Sequence, residues 1–183
     1  TRPRNARRRG GQHNRSFRAR SRIAVGNVRI SIPVAIEAMA ALLDTNVLVY
    51  RFDSRDPEKQ ERAERLMREG ILSGDLRIPH QAIVEFVAAT TRPITRGASL
   101  LTPDEARRET EELTLQFPML YPDAAVLRLA LRGWATYGFS WFDAHLWAYA
   151  EHYGLSTLYS EDFQDGRVYG TVRIVNPFVG IPR

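Results

Sequence analysis

Short apolar runs alternate with amphipathic stretches of helical length from residue 40 onward, and this alternation restricts the chain to very few architectures. Ala40-Ala41-Leu42-Leu43, Leu76–Ile78, Leu155–Tyr159 and Val172–Val175 read as buried strands. Pro118–Tyr121 reads as a short edge strand. Asp56-Pro57 offers an N-cap and a proline at the first helical position, predicting a helix that begins at Pro57, continues over Glu58–Glu69 and stops at Gly70. Gln81–Thr91 carries Ile83, Phe86, Val87 and Thr90 at helical spacing, and Thr102-Pro103-Asp104-Glu105 is a capping box that starts a helix reaching about Gln116. Further helices are predicted over Pro122–Gly138 and Trp141–Tyr153, the second capped by Ser140. After the turn Asp44-Thr45-Asn46, Val47–Tyr50 suits a helix or a second extended piece. The prediction is an α/β fold with a mainly parallel central sheet and helices on both faces, its functional crevice beyond the carboxyl ends of the strands.

Charge divides the 183 residues into two parts. The first 38 hold ten arginines and one acid, Glu37, so the formal net charge of +5 leaves residues 39–183 at −4. Thr1–Arg22 has almost nothing apolar to bury and reads as disordered. Ile30, Ile32 and Val34 alternate, which fits either a short added strand or an adventitious apolar stretch. Folding is expected to begin near Met39, giving a basic extension over 1–38 and one domain over 39–183. Because the basicity belongs to the extension, any nucleic-acid chemistry of the body must come from a site and not from overall charge. The absence of cysteine excludes disulfides, thiolate zinc sites and a cysteine nucleophile, and fits a cytoplasmic location. No apolar run approaches the ~18 residues needed to cross a bilayer, so no membrane partner is expected.

Four acids, Asp44, Glu85, Asp143 and Asp162, lie among apolar neighbours with no matching lysine or arginine beside them in sequence. Asp44 follows a predicted strand, Asp162 follows another, and Asp143 falls in the first turn of a helix, all at the expected crevice. Each has an ordinary structural explanation. Asp44 suits an Asx turn, Asp162 a plain turn, and Asp143 the helix dipole, an effect worth only ~0.3–1 kcal/mol. Glu85 resists such an explanation, because a helix face rich in Ile, Val and Phe rarely carries a glutamate without a partner. Several carboxylates together without cations call for a divalent metal, and hard oxygen ligands suit Mg²⁺ or Mn²⁺. His80, His145 and His152 lack ligand spacing and are expected to be surface or core residues; Asp165 is expected to serve its loop.

The segments Leu42-Leu43-Asp44-Thr45-Asn46-Val47-Leu48-Val49, then Glu85, then Trp141-Phe142-Asp143-Ala144, then Leu158-Tyr159-Ser160-Glu161-Asp162 resemble PIN domains, and most closely the VapC-type ribonuclease toxins of bacterial toxin–antitoxin pairs. The resemblance covers about Met39 to Phe178. It implies a PIN-like three-layer fold and a metal-dependent endoribonuclease acting on single-stranded RNA. By position, the four acids become Asp44, Glu85, Asp143 and Asp162, with Asn46 and Ser160 as the polar residues that orient them. Mg²⁺, with Mn²⁺ as an alternative, is then held by Asp44, Asp143 and Asp162, and Glu85 binds it through water or orders the attacking water. The implied partners are RNA, a small cognate antitoxin protein and a second copy in a homodimer. The long basic start departs from the family pattern.

Two other readings compete. A catalytically silent PIN-like module would bind RNA or protein without cutting, and loss of any one acid would favour it; all four are present. A phosphotransferase or phosphatase would use Asp44 as nucleophile, but the acid such enzymes tend to carry two positions later is Asn46 here.

Overall fold

The computed structural model describes residues 40–94 and 99–181. The expectations for the basic extension and for the alternating Ile30–Val34 stretch fall outside these residues. In chain order the elements are β1 (Ala41–Leu43), α1 (Thr45–Tyr50), α2 (Pro57–Ser73), β2 (Leu76–Pro79), α3 (His80–Thr91), α4 (Pro103–Gln116), β3 (Met119–Leu120), α5 (Ala124–Tyr137), α6 (Trp141–His152), β4 (Thr157–Tyr159), β5 (Val168–Tyr169) and β6 (Val172–Val175). The strands form one sheet in the order β3-β2-β1-β4-β6-β5, parallel throughout except for the β5–β6 pair.

Alternation along β1 sends its side chains into two cores. Leu42 joins Val126, Ala130, Ala144, Trp147 and Ile174 beneath α5 and α6. Ala41 and Leu43 join Val47, Ala63, Phe86 and Leu113 beneath α1 to α4. The result is three layers with β1 buried on both faces, as its uninterrupted apolar sequence requires. No helix among the described residues is long and apolar enough to cross a membrane.

The chain leaves β1 for β2 and β3 on one side, then returns to place β4 on the other side. The strand order therefore reverses between β1 and β4, and an open parallel sheet has its crevice at the carboxyl ends of such a pair.

Local chemistry explains most boundaries. Asp56 caps α2 by accepting from the Lys59 amide, Thr102 and Glu105 form the reciprocal capping box of α4, and Ser140 caps α6 by accepting from the Asp143 amide. Val47–Tyr50 is helical. Two readings need correction. Gly70 does not end α2: the helix continues to Ser73, and Gly74, in the left-handed region at φ 69°, is its cap. Gly70 is needed for close approach, since a Cβ there would lie 1.9 Å from Leu76 Cδ1 and 2.3 Å from its Cγ. The sequence reading also lacks β5, which reaches β6 through the two-residue turn Gly170-Thr171, with Gly170 at φ 60°.

Gly70→Ala therefore sets a helix-propensity gain of ~1 kcal/mol against overpacking of the buried Leu76, which costs roughly 1–3 kcal/mol. The expected outcome is a net loss of stability in urea unfolding, and equal or greater stability would contradict this packing account.

Candidate active site

Parallel pairing of Leu43 with Tyr159 carries the chain out of β1 and β4 at the same level. The Asp44 amide donates to the Tyr159 carbonyl at 3.0 Å, and the Ser160 amide donates to the Val175 carbonyl at 3.1 Å. Asp44, only 6% exposed, thus stands beside the fully buried Ser160. The Ser160 hydroxyl donates to Asp44 Oδ2 and accepts from the Asp162 amide at 3.1 Å, so its proton has one direction to take. Asn46, in the first turn of α1, donates from Nδ2 to the same Asp44 Oδ2 at 2.8 Å and to Asp162 Oδ2 at 3.3 Å. One amide therefore bridges two carboxyl groups that are 118 positions apart in the sequence.

The other two acids come from helices. Glu85 is half-buried on the second turn of α3, its carboxylate accepting from Thr45 Oγ1 and Gln81 Nε2, each at 2.8 Å. These are the partners that a glutamate on this helix requires. Gln81 also donates to the Phe142 carbonyl at 3.1 Å and so ties α3 to the start of α6, where Asp143 sits half-buried. Its apolar sequence neighbours do not bury Asp143: Phe142 is 62% exposed and Trp141 37%.

Asp44, Asn46, Glu85, Asp143 and Asp162 line one cavity of about 710 Å³, together with Thr45, Tyr50, Asp53, Gln81 and Arg92. Ser160 lies behind its wall. Among the described residues, Arg92 is the sole basic residue lining the cavity. His80, His145 and His152 do not line it; His145 rests against Trp141 with ring centroids 4.3 Å apart, and His152 approaches Asp123 at 3.5 Å. Asp165 accepts from the Asn176 amide at 2.8 Å, which is a loop role.

Burial is the main influence on Asp44 and pushes its pKa up to about 7; repulsion from Asp162 and Glu85 adds to it, while the Ser160 hydrogen bond opposes it. Asp162 is also raised, by burial and then by the charges of Asp143 and Glu161, against the Asn46 bond. The site therefore lacks positive charge rather than negative. Among the described residues, no three His, Asp or Glu side chains stand close enough together to hold a metal ion as they lie. Their chemistry nonetheless fits a hard divalent cation, because the donors are all oxygen and the buried Asn46 Oδ1 has no hydrogen-bond partner.

Sequence reasoning missed Arg92 and Gln81 on the cavity wall and three more residues at this end of the sheet. Asp53 lines the cavity and is held below the usual carboxylate range by hydrogen bonds from Arg55, at 2.7 and 2.6 Å. Lys59 and Glu161 form an ion pair of 2.7 Å beside Tyr50. That Lys59 is the only lysine in the chain was the available signal.

The Asp44 shift fixes the sign of a stability change. A carboxyl with an unfolded value of 3.8 and a folded value of about 7 favours the folded state fully below pH ~4, and this contribution is lost as pH rises toward 7. In EDTA, Asp44→Asn should be more stable than the wild type at pH 8, by on the order of a few kcal/mol, with the gap narrowing toward pH 4. Urea melts at both pH values check this, and a gap that does not change with pH would remove the buried-carboxyl account.

The PIN domain family model matches residues 41–169. No curated protein matches the chain. Among solved structures, DNA-bound VapBC from Salmonella typhimurium superposes with a TM-score of 0.55 at 15% identity, covering 74% of this chain and 96% of that one. VapC20 of Mycobacterium tuberculosis, a toxin that cleaves the sarcin-ricin loop, gives a TM-score of 0.52 at 15% identity, with 66% and 88% coverage. VapBC2 from Rickettsia felis, bound to a promoter DNA fragment, gives 0.51 at 11% identity, with 74% and 97% coverage. At such identities the likeness concerns the fold. With the family match spanning most of the described residues, the three-layer sheet and the acids at its β1–β4 switch point together assign the chain to the PIN domain family.

Proposed function

We propose that this chain is a metal-dependent endoribonuclease and the toxin of a toxin–antitoxin pair. The observation that carries the reading is the convergence of Asp44, Glu85, Asp143 and Asp162, from four separate segments of the chain, on one cavity at the switch point. Asp44, Asp143 and Asp162 are the residues that would hold Mg²⁺ or Mn²⁺, with Glu85 acting through water. When bound, the cation supplies the Lewis acidity that polarises a phosphodiester oxygen and acidifies the attacking water. Asn46 and Ser160 hold the Asp44 carboxyl in place with their hydrogen bonds. Glu85, fixed by Thr45 and Gln81, orders the water. Arg92 is suited to the substrate phosphate, because a guanidinium can bind two of its oxygens at once. Binding of RNA depends on the cation, since the uncompensated acids repel phosphate.

The antitoxin finds a surface beside the cavity. A second hollow of about 290 Å³, lined by Val84, Leu127, Phe142 and His145 among others, shares Gln81, Val84, Glu85 and Phe142 with the acidic one. An extended segment with apolar side chains here could pass a Lys or Arg to the acids. Leu127, Leu131 and Trp134 form an exposed stripe on α5, the face we assign to a second copy in a homodimer. Two neighbours are DNA-bound VapBC structures, and the VapC20 neighbour is a toxin that cleaves the sarcin-ricin loop.

The test is cleavage of a pool of structured and single-stranded RNAs with Mg²⁺, Mn²⁺ or EDTA. Cuts are expected with metal only, and Asp44→Asn and Asp143→Asn should each lose at least ~100-fold in rate. Arg92→Ala should raise KM several-fold, about what loss of one charge-assisted phosphate contact costs. Folded wild type and variants that are equally inert would turn the reading to a binding module.

A further inference from the structure

Lys59 is the one lysine in a chain with twenty-five arginines, and it is 6% exposed. Its Nζ donates to Glu161 Oε2 and to Tyr50 Oη, both at 2.7 Å, while Tyr50 Oη donates to Glu161 Oε1. The three side chains close a ring of hydrogen bonds. The ammonium also sits 4.2 Å from the Tyr50 ring centroid and 5.5 Å from that of Phe178. Burial alone would lower the lysine pKa, but the bonds to Glu161 and Tyr50 outweigh it and hold the group above its usual value.

The ring joins two helices to the turn that carries Ser160 and Asp162. Tyr50 is the last residue of α1, which begins right after Asp44, and Lys59 lies in the first turn of α2. Glu161 stands between Ser160, which donates to Asp44, and Asp162, which shares the Asn46 amide with Asp44. The rest of the turn is tied by the Ser160 amide to Val175, the Asp162 amide to Ser160 Oγ, the Ser160 hydroxyl to Asp44 and the Asn46 amide to Asp162. Between these two site residues, Glu161 is held by the buried ammonium of Lys59 and the hydroxyl of Tyr50.

We propose that Lys59 is a positioning residue, which by holding Glu161 fixes the Ser160–Asp162 turn and so the direction of the Ser160 hydroxyl and the place of Asp162 at the cavity. Its catalytic consequence rests on the nuclease reading; its structural consequence does not. Lysine rather than arginine is needed because a compact ammonium with tetrahedral donors fits between a phenol, a carboxylate and two ring faces, whereas a planar guanidinium is wider and directs its donors in one plane.

The experiment compares amide hydrogen exchange and RNA cleavage in the full chain for the wild type, K59M, K59R and the remote core variant Leu113→Ala. In K59M, exchange over residues 160–163 should rise about tenfold while that of Ala41–Leu43 stays as in the wild type. The value of kcat should fall roughly 10- to 100-fold with KM little changed, the mark of a small displacement of catalytic groups. K59R should restore neither. Leu113→Ala should lower Tm without selective opening of the turn, which separates positioning from stability. Unchanged exchange over 160–163 in K59M, or full recovery by K59R, overturns the proposal. If wild type cuts no RNA, the nuclease reading falls while the exchange pattern still decides the role of Lys59. Should K59M fail to fold, E161Q carries the same test, with selective opening of the turn expected and an unchanged turn overturning it.

Discussion

Parallel pairing of β1 with β4 joins residues more than a hundred positions apart, and its register, Leu43 on Tyr159, decides what meets at the end of the sheet. Shifting the register by one residue would move every β4 side chain to the opposite face and send the Ser160 hydroxyl away from Asp44. With the register as it is, Ser160 and Asn46 both reach one oxygen of Asp44, and Asn46 reaches Asp162 as well. The core depends on the same pairing. Leu42 and Leu158 fill the layer under α5 and α6, while Leu43 and Tyr159 face the layer under α1 to α4. The apolar packing that sets the register therefore also sets the geometry of the acids.

That arrangement opposes stability to chemistry. A carboxyl as buried as Asp44 normally has a cation beside it, and the nearest buried ammonium, Lys59, is committed to Glu161 and Tyr50. Burial and the neighbouring charges of Asp162 and Glu85 therefore push the pKa of Asp44 up to about 7, against the hydrogen bond from Ser160. Polar residues placed to hold an acid without neutralising it are what a cation site needs and what a stable core avoids. The ring of Lys59, Tyr50 and Glu161 differs because its charges are matched, so it can fix the turn without competing for whatever binds among the acids.

The alternation of apolar runs with capped helices made the parallel sheet legible in the sequence, and turn chemistry gave the starts of α2, α4 and α6 to the residue. Gly70 misled because a glycine at the end of an apolar period looks like a stop, whereas its reason is Leu76, six positions later and on the next strand. Such a contact has no local signature. Asp44, Glu85, Asp143 and Asp162 could be picked out by their apolar neighbours, though the reason differs from site to site: Asp44 is buried by the sheet, while Trp141 and Phe142 beside Asp143 are open to solvent. Composition pointed to acids without bases, and the folded chain qualifies this by bringing Arg92 to the cavity wall and Lys59 to its back. Long-range pairs such as Lys59 with Glu161 are written into the sequence only as the two residues, not as their meeting.

Charge distribution adds the last step. Residues 39–183 carry a formal net charge of −4, and among the described residues the cavity has one basic lining residue against five acids, Asp44, Asp53, Glu85, Asp143 and Asp162. Asp53 is balanced by Arg55, so an incoming phosphate meets the four carboxyl groups that remain against the single guanidinium of Arg92. Carboxylates in such excess repel polyanions, and added positive charge lowers that repulsion. The same field draws any cation of suitable size, whether a divalent metal or a basic side chain passed along the apolar hollow that shares Glu85 and Phe142. Metal and basic side chain are then alternatives for one set of carboxylates. A protein segment that brings a guanidinium to them competes with the very ion the proposed chemistry needs, so inhibition would follow from the electrostatics of the site without any change of fold.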